Sequence, residues 1–207
     1  MNFLFAAVLS LLALQVTAEE PDWIQLKSKA GIQLSYRYNP VLEVKARGFY
    51  PGKPGSFLLL LRDTASVQRW LKQSKDATLL EGSTTTDWQV YTRFQSIWPV
   101  SPRDMVTCAT IKTVENQSTE IRISDCSNLV AETPDYVRIH EVNALWTLTP
   151  GDKGFELQYQ GSANPGGNLP AWLVKQLTLS SLHASFIAFK TELQRPQYQV
   201  KTAEVTR

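Results

Sequence analysis

The sequence has little of what metal centres and most active sites are built from. Among its 207 residues there are only two histidines and two cysteines, and it contains no phosphate-binding loop, no G-x-S-x-G nucleophile motif and no EF-hand loop. The segment 140–144 begins like the zinc motif HExxH, but Ala144 stands where the second histidine must be. The segment also lies in a strand pattern, where positions i and i+4 are about 13 Å apart. We therefore expect no metal, no cofactor and no catalytic residue.

A strong charge imbalance and a membrane-spanning run are also missing. Lys and Arg outnumber Asp and Glu by only 21 to 19, which gives a net charge of +2, and the basic residues never cluster beyond a pair. This balance gives no reason to expect a nucleic-acid partner. The apolar run over residues 3–16 is shorter than the roughly 20 residues that a helix needs to span a bilayer.

That apolar run instead fits the hydrophobic region of a secretory signal peptide. It ends in Val16-Thr17-Ala18, small or modest side chains of the kind that signal peptidase requires, and a polar chain follows. We predict a signal peptide over residues 1–18 and one exported domain over residues 19–207. An uncleaved N-terminal anchor is the alternative.

The two cysteines of an exported chain are expected to meet an oxidising compartment. Residues 104–114 and 119–126 both alternate, and the polar stretch between them is typical of a turn. If the hairpin folds about Gln117, Cys108 and Cys126 are equally far from its centre and lie directly opposite each other. We predict a disulfide between them on the outer face of the sheet. Two reduced thiols on a strand surface are the alternative.

What the chain does have is a regular succession of strand and helix patterns. Alternation predicts strands over residues 31–38, 41–46, 88–94, 104–114, 119–126, 137–148 and 155–160. Helices are predicted over residues 57–63, 64–75 and 171–193, with Pro170 near the first position of the last one. That last helix carries an apolar stripe at three-to-four spacing: Trp172, Leu173, Gln176, Leu179, Leu182, Phe186 and Phe189.

This order of elements indicates an α+β fold. A single curved antiparallel sheet needs its concave face covered, and one long amphipathic helix is able to cover it. We predict a helix-grip architecture, in which the curved antiparallel sheet wraps around the long C-terminal helix. If the sheet curves strongly, a cavity is left between the sheet and the helix.

Four segments of the chain, in order, are similar to segments of START domains, the steroidogenic acute regulatory protein-related lipid-transfer family. The first is the helix pair at residues 57–70, with its Arg-Asp and the later tryptophan. The second is Trp-Pro-Val-Ser-Pro-Arg-Asp-Met-Val at residues 98–106, and the third is the Val-Arg and Trp-x-Leu-x-Pro of residues 137–150. The fourth, at residues 164–174, resembles the family's D-P-x-G-x-L-P-x-W-L-V signature. The resemblance covers about residues 23–193.

This resemblance implies a lipid-sized tunnel whose lid is the C-terminal helix together with the loop at residues 128–136. It also implies that the protein is not an enzyme and that Arg103 and Asp104 are structural, fixing the start of a strand as an ion pair or a turn. Some sterol carriers of the family place a basic residue six positions after this arginine and an acid thirteen positions before it. Here those positions are Ala109 and Val90, so the pocket is expected to be more apolar. An exported START domain of this size resembles those of Gram-negative bacteria, which implies the periplasm.

We therefore predict a monomer that binds and transports a lipid or another hydrophobic ligand in an internal cavity and contacts membranes transiently, with Leu129 and Val130 at the contact. One alternative is a helix-grip enzyme of the cyclase or hydrolase type, with Asp125 and Glu141 as its acid–base pair. The other is an interaction module whose core is filled. The residues predicted to face the cavity are Trp88, Val90, Thr92, Phe94, Thr107, Ala109, Ile111, Ile123, Asp125, Trp146, Phe155, Leu157, Tyr159, Leu179 and Phe186.

Overall fold

The computed structural model of the protein describes residues 21–114 and 117–199, so the predicted signal peptide lies outside it. The strands are β1 (Ile24–Gln25), β2 (Gln33–Asn39), β3 (Val41–Tyr50), β4 (Ser74–Leu79), β5 (Asp87–Phe94), β6 (Arg103–Thr113), β7 (Thr119–Asp125), β8 (Val137–Gly151) and β9 (Gly154–Asn164). The helices are α1 (Pro54–Arg62), α2 (Val67–Trp70) and α3 (Ala171–Glu192). No helix within the described ranges is long and apolar enough to cross a membrane.

One sheet contains all nine strands, in the spatial order β1-β2-β3-β9-β8-β7-β6-β5-β4. Neighbouring strands in this order are antiparallel, and the first residues of β6 and β8 add a short parallel pairing, from Arg103 with Val137 to Met105 with Ile139. The sheet curves around α3, which covers its concave face. The predicted α+β class and helix-grip architecture are therefore confirmed.

The buried core gathers around the C-terminal half of α3. Phe186 and Phe189 are fully buried there, together with Tyr50, Phe57 and Phe155. The Tyr50 hydroxyl donates a 2.7 Å hydrogen bond to the backbone oxygen of Phe186, and the Phe189 ring meets the Phe57 ring edge-on with 5.1 Å between centroids. Because such aromatic pairs each add about 0.5–1.5 kcal/mol beyond the burial of their area, this half of α3 is firmly anchored.

The chain after α3 is tied back to the two short helices. The carboxylate of the buried Glu192 accepts a 2.8 Å hydrogen bond from Nε of Arg69 and lies 2.8 Å from Nε of Arg195. The Tyr198 hydroxyl donates to the carboxylate of Asp63. These contacts fix the C-terminal end of α3 against α1 and α2, and the N-terminal half of α3 is left to cover the rest of the sheet.

The second predicted helix, over residues 64–75, is shorter than expected. A 3-10 turn at Thr64–Ser66 leads into α2, which ends at Trp70, and the chain reverses at Gln73, whose φ is +71°. Residues from Ser74 onward then pair with β5 as an edge strand. Pairing with β5 therefore places residues 74 and 75 in a strand, although the sequence pattern had predicted them to be helical.

The predicted bridge between Cys108 and Cys126 is present, with the two Cα atoms 5.7 Å apart. The predicted register of its hairpin is wrong by two residues, because Thr107 pairs with Asp125. Cys108 consequently lies opposite Ser124, and Cys126 directly follows β7. Since a shift of the partner by two residues preserves the face of the sheet, both cysteines remain on the outer face and the bridge is diagonal.

We expect loss of this bridge, in a Cys108→Ser/Cys126→Ser variant, to lower the free energy of unfolding. The cysteines are 18 positions apart, and closing a loop of about this length stabilises a fold by about 3 kcal/mol through the entropy of the unfolded chain. Urea denaturation with and without reductant measures the effect. Reductant should lower the wild-type midpoint and leave the variant's midpoint unchanged, and a fully reduced wild type with an unshifted midpoint would contradict the expectation.

Candidate functional site

A pocket of about 400 Å³ lies between the concave face of the sheet and α3, within the roughly 300–1,000 Å³ range of small-molecule sites. We call it the central pocket. Its wall takes alternate residues of the strands, because successive side chains point to opposite faces, and every third or fourth residue of α3. On β5, β6 and α3 these residues are Trp88, Val90, Thr92, Phe94, Arg103, Met105, Thr107, Ala109, Val174, Leu177, Thr178, Ser181, Leu182, Ser185 and Phe189.

Many of the residues predicted to face a cavity lie in this wall. From the predicted set the wall contains Trp88, Val90, Thr92, Phe94, Thr107, Ala109, Ile123, Trp146 and Tyr159. The Tyr159 hydroxyl lies over Gly161, where a Cβ atom would come within 2.5 Å of it. Burial raises the pKa of Tyr159 to about 12, so this hydroxyl stays neutral at physiological pH and adds no charge to the pocket.

Four predicted cavity residues belong to the packed core and not to the wall. Phe155, Leu157 and Phe186 are fully buried around the C-terminal half of α3, and Ile111 packs against the same cluster. Strand alternation assigns a side chain to one face of the sheet but gives no position along the length of that face. Core and pocket therefore use residues of the same pattern, and sequence alone does not separate them.

Leu179 and Asp125 also lie outside the wall. The helix turns Thr178 and Ser181 toward the pocket, which leaves Leu179 on its flank because successive residues are rotated by about 100°. At the end of β7, the Asp125 carboxylate accepts hydrogen bonds of 2.7 and 2.5 Å from the backbone N–H and the hydroxyl of Ser127. Burial alone would raise the pKa of Asp125, but hydrogen bonds from Ser127 and from the backbone of Glu141 and Val142 hold it below its usual range.

A bulge in β8 changes which of its residues face the pocket. The register with β9 shifts just after His140, and Glu141 has a φ of +54°. Glu141 is exposed, while Ile139 and Val142 on either side of it lie in the wall. The pair that the enzyme alternative requires in the cavity, Asp125 with Glu141, is therefore not in the pocket wall. No sequence signal marks this bulge, since glutamate does not favour a positive φ.

The opening of the pocket is formed by loops, and one of them, residues 71–73, had been predicted to be helical. Sheet pairing places Ser74 beside Phe94, and Phe94 beside Arg103, so the loops next to these strand ends meet at one end of the sheet. The wall there contains Leu71, Lys72, Gln73, Gln95, Ile97, Val100, Ser101, Pro165 and Leu169. Lys72 and Gln95 are exposed, which places the opening at this end. We call residues 71–73, 95–102 and 164–170 the rim.

A buried ion pair holds the loop after β7 against the sheet beside the rim. Nε and Nη2 of Arg138 donate to the two carboxylate oxygens of Asp104 over 2.7 and 2.9 Å, and both side chains are only 1% exposed. The Tyr91 hydroxyl donates to the same carboxylate. Nη1 of Arg138 donates over 3.0 Å to the backbone oxygens of Ser127 and Val130. Hydrogen bonding to Asp104 raises the pKa of Arg138, and the pair joins β6, β8 and this loop.

Arg103, the neighbour of Asp104, points to the other side of the sheet and into the pocket wall. Its guanidinium donates to the backbone oxygens of Ser101, Pro165 and Gly166 over 2.8, 2.9 and 3.3 Å. Arg103 thereby ties the loop before α3 to the start of β6. The residue is 8% exposed, and burial lowers its pKa. Arg103 and Asp104 thus do not pair with each other, although each connects β6 to a loop.

Pro170 occupies the N-cap position of α3, with φ −59° and ψ 137°. Its carbonyl accepts hydrogen bonds of 2.9 and 3.1 Å from the N–H groups of Leu173 and Val174. A proline has no N–H to leave unsatisfied at the start of a helix and has a φ that suits it. The rim therefore leads directly into α3.

Comparison with known proteins agrees with this architecture. The family model described as START domain matches residues 4–202. A solved STAR-related lipid transfer protein from Xanthomonas axonopodis is 26% identical with a TM-score of 0.77, covering 84% of this chain and 99% of that chain. Human StAR-related lipid transfer protein 5 shares the fold at 17% identity and a TM-score of 0.71, covering 83% of this chain and 86% of that chain. An uncharacterized protein of Pseudomonas aeruginosa is 23% identical over 170 residues, which are 77% of this chain and 81% of that protein.

A match over nearly the whole chain, together with the helix-grip fold and the pocket beneath α3, makes this protein a member of the START domain family.

Proposed function

We propose that this protein binds a lipid or a similar hydrophobic ligand in the central pocket and carries it to or from a membrane. The observation that carries the proposal is the composition of the wall, which is mostly apolar and contains no carboxylate among the described residues. Membership of the START family and the likeness to a bacterial lipid transfer protein support the same function.

The wall supplies affinity without a dedicated motif. Each methylene group moved from water into an apolar pocket contributes about 0.8 kcal/mol, so the burial of roughly ten of them provides about 8 kcal/mol before the costs of association. The aromatic side chains of Trp88, Trp146 and Phe189 line the inner part of the pocket. An alkyl chain or a flat apolar ring system matches this surface. If the chain is exported, as its N-terminal sequence predicts, the carrier acts in the periplasm or outside the cell.

Exposed apolar side chains beside the opening favour contact with a membrane. Trp98 on the rim is 91% exposed, Trp172 at the start of α3 is 63% exposed, and Leu129 on the loop held by Arg138 is 51% exposed. Tryptophan is enriched at membrane–water interfaces, where its ring is half in the apolar layer and half hydrated. In the proposed function these residues insert when the opening faces the bilayer, and the ligand leaves or enters without crossing water.

The proposed transfer step predicts a specific effect of Trp98→Ala. Loss of a large side chain that inserts into the bilayer forfeits about 1.5–3 kcal/mol, so transfer of a fluorescent lipid between vesicles should slow by roughly tenfold or more. Thermal stability and the amount of lipid bound should stay unchanged, because Trp98 packs little against the fold. Stopped-flow fluorescence measures the transfer rate, because the labelled lipid is quenched in the donor vesicles and becomes fluorescent when it leaves them.

Phe49→Ala is the matched control for Trp98→Ala. Phe49 is an aromatic residue that is 52% exposed, and it lies near Gly151 at the turn between β8 and β9, at the opposite end of the sheet. Transfer by this variant should match that of the wild type. Equal transfer rates for the two variants would contradict docking through the rim.

A further inference from the structure

Arg103 is a buried cation that no carboxylate neutralises. The residue is 8% exposed, its three hydrogen bonds all go to backbone oxygens, and it has no ion-pair partner in the described part of the chain. The other buried arginines differ: Arg138 has Asp104 and Arg37 has Glu43 as partners. Burying a charge without a counter-ion is costly, so this arrangement calls for an explanation.

Nearby carboxylates are engaged elsewhere and do not serve Arg103. Asp104 points away from the pocket and is bound by Arg138 and by the Tyr91 hydroxyl. Asp76, on the neighbouring edge strand, is held by both Nε and Nη2 of Arg93 over 2.8 Å each. The backbone oxygens around Arg103 carry only partial charges. The full positive charge of Arg103 therefore remains available to a ligand.

The guanidinium also keeps hydrogen-bonding capacity beyond its three contacts with the rim. An arginine has five N–H donors, and three of these are used by the backbone oxygens of the rim. The remaining donors belong to a side chain that forms part of the pocket wall. A planar group with free donors and a full charge is the standard partner of phosphate and carboxylate oxygens.

The charged side chains of the wall are all positive, and they lie at one end of the pocket. Its charged members among the described residues are Arg103 and Lys72. Lys72 is two positions before Ser74, Ser74 pairs with Phe94, and Phe94 pairs in turn with Arg103. Lys72 thus lies on the rim, and Arg103 lies directly beside it. The N-terminus of α3 begins beside the same rim and adds a partial positive charge. The rest of the wall carries no charged side chain among the described residues, so the pocket as a whole is polarised along its length.

We propose that Arg103, assisted by Lys72, binds the anionic oxygen group of an amphiphile whose apolar part occupies the inner pocket. The ligand class is an alkyl chain with a phosphate or carboxylate head group of net negative charge, because the described wall has no carboxylate to accept a cationic group such as choline. This inference rests on the proposed function, because it assigns a ligand class to the same pocket. It gives Arg103 a role in ligand selection in addition to its contacts with the loop before α3.

The test measures which lipid the protein selects. Delipidated protein is incubated with vesicles containing equal amounts of phosphatidylglycerol and phosphatidylcholine, re-isolated, and its bound lipids are quantified by mass spectrometry. Phosphatidylcholine carries a cationic choline beside its phosphate, and the described wall offers two cations and no carboxylate to it. The anionic lipid should therefore be enriched by roughly tenfold or more. In Arg103→Gln the ratio of anionic to zwitterionic lipid should fall to near one, because the neutral amide supplies no positive charge to the head group.

Further variants separate ligand selection from a structural role. Arg103→Lys keeps the charge and should keep most of the preference although it loses contacts with the rim, whereas a purely structural role predicts the same ratio in every folded variant. Lys72→Gln should lower the ratio in part. Lys75→Gln is the control, since Lys75 is exposed, lies three positions from Lys72 and is not in the pocket wall; its ratio should equal that of the wild type.

Inorganic phosphate in the same incubation distinguishes the two sources of an anionic group. A site that accepts free phosphate loses its preference for phosphatidylglycerol as phosphate rises, and a site that requires the attached chain does not. Either result supports an anion site at Arg103. Equal uptake of both lipids by the wild type, or an unchanged ratio in Arg103→Gln, overturns the inference and leaves lipid carriage intact. Uptake of neither lipid overturns both.

Discussion

Asp104→Asn is expected to lower the free energy of unfolding by about 3–5 kcal/mol, because removal of one partner leaves a buried charge uncompensated. The partner is Arg138, which is 1% exposed and donates two hydrogen bonds to the Asp104 carboxylate. An asparagine retains the volume but loses the negative charge and one acceptor oxygen. Guanidinium denaturation, with the slope checked for two-state unfolding, measures the loss.

Asp76→Asn is the matched control for this prediction. Arg93 donates to both oxygens of Asp76 over 2.8 Å, so the two pairs have the same geometry, but these side chains are 38% and 35% exposed. Exposed pairs contribute about 0–1 kcal/mol, and Asp76→Asn should cost no more than that. Similar losses in the two variants would contradict the assigned role of burial.

A double variant tests whether the cost comes from the unpaired cation. Arg138→Met in the background of Asp104→Asn removes the buried charge that the single variant leaves behind, so part of the lost stability should return. The loop after β7 should still be looser than in the wild type, because the backbone oxygens of Ser127 and Val130 lose their donor. Hydrogen exchange of this loop reports the loosening. A double variant as unstable as the sum of its single variants would contradict the interpretation.

Ala109→Phe is expected to reduce lipid binding by more than tenfold while the protein stays folded. Ala109 lies on β6 between Trp88 and Ile123, and all three side chains are in the wall of the central pocket. A phenyl ring there occupies space that the ligand needs, and each methylene that is no longer buried forfeits about 0.8 kcal/mol. Two displaced methylenes already account for a tenfold loss. The bound fraction is measured by native mass spectrometry at several lipid concentrations.

Lys112→Phe provides the comparison for Ala109→Phe. Lys112 is on the same strand, but it is exposed and on the opposite face, so the added ring lies outside the pocket. Lipid binding by this variant should equal that of the wild type. Undiminished binding by a folded Ala109→Phe protein would mean that the ligand is not held in the central pocket.

Periodicity predicted most of the architecture of this protein, although it missed β4 and made the second helix too long. The alternation at residues 88–94 placed Trp88, Val90, Thr92 and Phe94 on the inner face, and the structure has all four in the pocket wall. The long uninterrupted helix near the C-terminus was also evident, since residues 171–192 contain no glycine or proline. These features depend on local spacing, which a single sequence records directly.

The features that periodicity did not provide depend on contacts between distant residues. The bulge at Glu141 arises from the pairing of β8 with β9 and moves the inward position to Val142. Phe155 and Tyr159 share one face of β9, yet the first is core and the second is pocket wall, because only the packing of α3 decides where the pocket ends. Likewise Arg103 is seen to be an unpaired cation only once its surroundings in space are known.

In the proposed function, a lipid or similar ligand occupies the central pocket. Native mass spectrometry of the purified protein, followed by solvent extraction and identification of the released molecule, tests it most directly. We expect a stoichiometric hydrophobic ligand that is absent from Ala109→Phe and present in Lys112→Phe. A wild-type protein of bare polypeptide mass that takes up nothing from a mixture of lipids would contradict the account.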